Sequence, residues 1–138
     1  TLPHELDWLR TAVHLTKGCY RGQESVARVH NLGRPPRRLV LLDLDGSTNE
    51  LPQPEAQVLV GTKMVGALTT VACHYELGPI ALALIKRAIP ITEQLTVTTS
   101  DGEVAASQTE LVGVDGVTPD RPRARGPLAK GLERKSLL

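Results

Sequence analysis

From residue 38 onward, apolar residues alternate with polar ones or run in short blocks broken by glycine, the pattern of β-strands rather than helices. The spacing predicts strands over 39–44, closed by Asp45-Gly46, and over 57–60 and 63–72, joined across Gly61-Thr62 as a hairpin. Residues 80–87 are apolar enough for a central strand, and strands over 95–99 and 103–110 flank Ser100-Asp101-Gly102 as a second hairpin. Five or six short strands without alternating helices make the chain mainly β, an antiparallel barrel or sandwich. Ahead of them, Pro3 stands where a helical turn begins, and Val13 and Leu15 alternate as in a short strand over 11–15. Residues 22–31 read as one helix with an acidic first turn and with Val26 and Val29 on one side, stopped by Gly33 and Pro35-Pro36. Three segments follow: 1–36, a 37–117 barrel, and a 118–138 tail in which Pro119, Pro122 and Pro127 among arginines predict poor packing.

Composition narrows the function. With no Phe, one Trp and two Tyr in 138 residues, stacking platforms for single-stranded nucleic acid are hard to build, so nucleic acid is an unlikely partner. The longest apolar run, 80–85, is far short of a membrane span, and no leader pattern opens the sequence, so no membrane partner is expected. Two cysteines are too few for a disulfide framework and fit a reducing, cytoplasmic setting.

Net charge is +1 but unevenly spread: residues 10–38 carry seven Lys or Arg against one acid, whereas 39–118 carry three against ten acids. The basic front suits a phosphate or carboxylate, and equally suits a solvated linker. His4, His14, His30 and His74 show no ligand spacing, and Cys73-His74 has no second pair, so no metal site is expected. No phosphate-loop or Gly-x-Ser-x-Gly string occurs.

Chemistry concentrates in Lys17-Gly18-Cys19-Tyr20-Arg21-Gly22-Gln23-Glu24. Cys19 lies between Lys17 and Arg21 and just before a helix start, surroundings that favour a thiolate able to act as nucleophile or metal ligand; a cysteine packed in a loop is the plainer alternative. Gly18 and Gly22 would allow a tight path on either side of it, or be ordinary loop glycines. Lys17 could contact an anion or cap a strand end, and Tyr20 line a pocket or join the core. Gln23 and Glu24 could bond a ligand or simply open the helix.

This octapeptide resembles the signature of the YgfZ-type folate-binding proteins, relatives of the T-protein (aminomethyltransferase) of the glycine cleavage system. Pro3-His4-Glu5 with Trp8 is similar to the T-protein's Pro-x-Glu stretch, and Arg37-Arg38-Leu39-Val40 to the basic strand opening its barrel. Residues 65–69 and 78–83 are similar to later strands of that barrel. The resemblance implies the C-terminal part of a longer protein, in which residues 1–36 end a folate-binding domain whose remainder precedes this chain. It implies Cys19 as the catalytic or functional thiol, with Lys17, Gly18, Tyr20, Gly22, Gln23 and Glu24 as its motif. It also implies tetrahydrofolate or a derivative as cofactor, with Glu5, Trp8 and Arg37 as folate-binding residues and Arg38 as the substitute for Arg37. A carboxylate suits the pterin N–H pair, and a guanidinium suits its carbonyl or the glutamyl tail.

Three functions follow. A YgfZ-like protein would support iron–sulfur proteins and, through them, tRNA modification. A folate-dependent transferase would carry one-carbon units, although Cys19, Tyr20, Arg21 and Gln23 depart from the T-protein's Lys-x-x-Phe-Ile-Gly-Arg. A stand-alone barrel would bind protein or RNA through its basic front, with no catalysis.

Overall fold

A computed structural model describes residues 1–47 and 51–114. It opens with a 3-10 turn, Pro3–Glu5, then α1 (Leu9–Ala12) and α2 (Gln23–Leu32), followed by β1 (Arg37–Leu44), β2 (Gln57–Val60), β3 (Lys63–His74), β4 (Gly78–Lys86), β5 (Leu95–Thr99) and β6 (Gly102–Glu110). The six strands close into an antiparallel barrel in the order β1-β4-β3-β2-β5-β6. The expected 118–138 tail lies outside the described residues.

Period two builds the core. Along β1, Arg38, Val40, Leu42 and Leu44 are buried while the residues between them are half-buried or exposed. They meet Val58, Val65, Leu68, Ala81, Ala83, Ile85, Leu95, Val97, Val104 and Ala106 in one interior. Closure leaves no wall without a neighbour, which removes the edge problem of an open sheet. Gly66 permits the tightest approach in that wall, because a Cβ there would collide with the Leu84 carbonyl and the Ile85 backbone.

Both predicted hairpins are present, across Gly61-Thr62 and Ser100-Asp101, and the central strand is β4 between β1 and β3. One expectation fails. The strand over 11–15 is absent: Leu9–Ala12 is helical and Val13 to Thr16 lie outside any strand. Two alternating residues, one of them half exposed (Leu15, 52%), bury too little to hold a strand. β3 runs past the predicted 63–72 to include Cys73, which is exposed. The β3–β4 pairing runs on to Cys73↔Pro79 and His74↔Gly78, whereas β1 stops pairing with β4 at Asp43↔Ile80, so Cys73 sits on a projecting arm.

Strand direction gives the barrel two unlike ends. The first end gathers the start of β1, the β2–β3 turn and the β4–β5 loop. The second gathers the end of β1, the β3–β4 arm and the β5–β6 turn. The N-terminal segment reaches the barrel at the first end, where the 3-10 turn packs on β1 and also touches α1 and α2.

Candidate functional site

Glu5 and Arg37 are 32 residues apart in sequence and form an ion pair at the first end. Arg37 donates from Nε to Glu5 Oε1 at 2.9 Å and from Nη2 to Oε2 at 3.2 Å, while the Leu2 N–H donates to Oε2 at 2.8 Å. Glu5 is 1% exposed and the Arg37 side chain 46%. Burial raises the Glu5 pKa, but the hydrogen bonds from Arg37 and the Leu2 N–H outweigh it, so the net shift is downward and the group stays a carboxylate. Alternation along β1 sends Arg37 outward and Arg38 inward.

Arg38 is fully buried, donating from Nη2 to the Ile89 carbonyl and to Gln108 Oε1, both at 3.0 Å. Its Nε and Nη1 meet no acceptor among the described residues. Burial pulls its pKa down and the Glu110 charge opposes this. Gln108 completes the plug by donating to the carbonyls of Pro90 and Glu93, which holds the β4–β5 loop over the barrel mouth. Of the two arginines, Arg37 therefore faces solvent and Arg38 closes the interior.

Sequence reasoning missed two residues here. Arg87 is 7% exposed and donates to four carbonyls: Pro35 at 2.6 Å, Gly113 and Val114 at 2.8 Å, and Arg37 at 3.2 Å. One guanidinium thus ties the linker, the start of β1 and the chain leaving β6 together. The available signal was the Lys86-Arg87 pair closing an apolar run, of which one cation had to lie against the barrel. The second is His4, whose two ring nitrogens are buried without a hydrogen-bond partner among the described residues and whose ring centre lies 6.3 Å from that of His30. Its pKa is lowered by burial and by the charges of His30 and Arg87, against the pull of Glu5.

The octapeptide ends the loop between α1 and α2 and supplies the first two residues of α2. Lys17, Gly18, Cys19, Arg21 and Glu24 are exposed, and Tyr20 and Gln23 half-buried. Gly22 takes φ +83° as the residue capping α2, a conformation that favours glycine. Gly18 has open space where a Cβ would stand and no such φ, so its tight path is not required here. The Gln23 N–H donates to the Tyr20 carbonyl at 3.2 Å, folding the motif back on itself just before the helix. Trp8 is 57% exposed, and its backbone N–H donates to the Pro3 carbonyl at 2.8 Å. The structure thus joins Glu5 to Arg37 directly, while Cys19 and Trp8 stand exposed on the N-terminal segment. Among the described residues no cluster of His, Cys, Asp and Glu could hold a metal ion, and no helix is long and apolar enough to cross a membrane.

Comparison with known proteins gives three findings. The model of the glycine cleavage T-protein C-terminal barrel domain matches residues 37–115. The chain is 34% identical over 111 residues to the mitochondrial iron–sulfur cluster assembly factor IBA57 of Mus musculus, covering 78% of this chain and 27% of that protein. The crystal structure of the glycine cleavage system aminomethyltransferase T from Bartonella henselae superposes with a TM-score of 0.62 at 17% identity, covering 79% of this chain and 31% of that one. The chain therefore spans about a third or less of the length of these relatives.

Proposed function

This chain belongs to the glycine cleavage T-protein C-terminal barrel family, and from that premise we propose that it is part of a YgfZ-type, folate-binding protein that supports the assembly or repair of iron–sulfur proteins, with Cys19 as its working thiol. The observation that carries this reading is the 34% identity to an iron–sulfur cluster assembly factor. Exposure of Cys19 on the loop capped by Gly22 supports it, since a thiol that meets a partner or cluster must be reachable. Iron–sulfur proteins are the partners that follow, and tRNA modification depends on the enzymes among them. The two cysteines and this role fit a reducing compartment, for which we propose the cytoplasm.

The folate part of the proposal rests on the residues at the first end. Arg37 keeps nearly half its side chain exposed and suits a carboxylate of the glutamyl tail, while the exposed Trp8 offers an apolar face. Glu5 is buried and fully engaged, so in this arrangement it orients Arg37; direct contact with a pterin would require Arg37 to leave it. The carboxylate contact is where the residues fit, and the rest of a folate site belongs to chain outside this sequence.

The test is replacement of Cys19 in the full-length protein in cells lacking it. Cys19→Ser should fold and yet fail to restore iron–sulfur enzyme activities, because a serine hydroxyl is neither a comparable nucleophile nor a soft metal ligand. Full restoration by Cys19→Ser would overturn the thiol assignment. Arg37→Ala should weaken folate binding by the full-length protein, measured by calorimetry, and unchanged affinity would remove Arg37 from the site.

A further inference from the structure

The second end of the barrel does no work in the reading above, and it differs from the first in charge. The only Lys and Arg of residues 39–114 are Lys63, Lys86 and Arg87. All three lie at the first end, Lys63 at the start of β3 and Lys86 and Arg87 where β4 finishes. Among the described residues the second end carries Asp45, Glu55, Glu76, Asp101 and Glu103, all exposed, and no lysine or arginine. Its parts converge: the Asp45 N–H donates to the Ala105 carbonyl at 2.9 Å, and Gly46 faces the Pro79 ring.

From this acidic rim the β3–β4 arm projects, and its tip is apolar. Tyr75 is 88% exposed and Leu77 59%. The tip is held in shape. His74 Nδ1 accepts the N–H groups of Glu76 and Leu77, both at 3.2 Å, and the His74 ring lies 4.7 Å from that of Tyr75. A fixed turn that shows a tyrosine and a leucine to water gains nothing for the barrel, whose core is complete without them.

We propose that the β3–β4 arm is a docking element for a protein partner whose surface is basic around an apolar recess, with Tyr75 and Leu77 entering the recess and the acidic rim meeting the cations. Buried aromatic anchors carry most of the energy of such contacts, and complementary charge sets approach and register. The same acidic field repels nucleic acid and anionic lipid. It also disfavours a second copy of this chain docked through this same end, since two acidic ends repel. The surface lies at the opposite end from the Glu5–Arg37 pair, so the proposal stands independently of folate and of Cys19.

The test titrates the isotope-labelled 138-residue chain, followed residue by residue by NMR, with a synthetic peptide of Lys-Lys-Leu repeats as probe and a Glu-Glu-Leu peptide as control. The lysine peptide alone should shift resonances of residues 73–79, 45–47 and 101–103. Tyr75→Ser with Leu77→Ser, which leaves net charge unchanged, should weaken binding at least tenfold, and Glu76→Lys with Asp101→Lys should abolish it. Equal binding by the serine variant would reduce the effect to diffuse charge attraction and overturn the proposal, as would shifts centred on the Arg37 end. Sedimentation showing self-association lost in the serine variant would assign the surface to a second copy and overturn it too.

Discussion

The two ends of one small barrel use polar residues in opposite ways. At the first, Glu5, Arg38 and Arg87 are buried and spend their hydrogen bonds on other parts of the chain. At the second, acids stand in water around an arm that touches little. Buried charges are costly unless matched, so losing the partners of Glu5 or Arg87 should be felt in stability. Exposed charges need no partner, which leaves the second end free to meet something outside this chain.

Removing Arg87 should break this contrast most strongly. Arg87→Met leaves four carbonyls without their donor, at least one of the contacts fully buried, and each lost partner there costs about 1–3 kcal/mol. Urea denaturation should show a loss of about 3 kcal/mol or more, whereas Leu77→Ala at the second end should change stability by no more than about 0.5 kcal/mol. Similar losses in both variants would erase the distinction. Next comes Glu5→Gln, which keeps shape but removes charge from a pair with one buried partner; a loss of about 1–3 kcal/mol is expected. A double-mutant cycle with Arg37→Ala should return most of that loss as coupling, since each residue's main contact is the other.

Acid should separate the ends further, and with a defined sign. The His4 pKa lies below its ordinary 6.5 in the folded state, so the unfolded chain takes up the proton first as pH falls. Stability is then complete above about pH 6.5 and declines below it. Glu5 is lowered from 4.5 and adds a second loss as pH drops below that value. Melting temperature followed from pH 7.5 downward should fall first near 6.5, and His4→Leu should flatten that first step while leaving the second. A profile unchanged by His4→Leu would take His4 out of the joint. The smallest effect is expected from Tyr75→Ser, whose melting temperature should match the parent at every pH, because its side chain leaves water neither before nor after folding.

The strands were readable because a barrel wall imposes a period of two and its hairpins demand particular residues. Gln57–Val60 and Leu95–Thr99 appear with the predicted bounds, each beside a turn containing glycine. The β3–β4 turn escaped because it contains no such signal before Gly78; His74 closes it with a side-chain nitrogen, which no local propensity announces. The 11–15 segment was misread for the reverse reason, a pattern too short to outweigh the absence of a neighbouring strand. At the site, the resemblance to the T-protein named Glu5 and Arg37 as contacts to one ligand, but not as partners of one another.

What the amino-acid sequence determined by itself was a set of antiparallel strands, barrel or sandwich: alternation chose the inward residues, and glycine placed two of the turns, since both act over a few neighbouring positions, whereas closure into a barrel was decided by the tertiary pairing. What only the tertiary structure decided was the fate of the charges. Arg37 and Arg38 are adjacent and chemically identical, yet one faces water beside Glu5 and the other plugs the interior against Ile89 and Gln108. That difference arises from contacts made 32 to 70 residues away, through partners that come together only when the barrel closes.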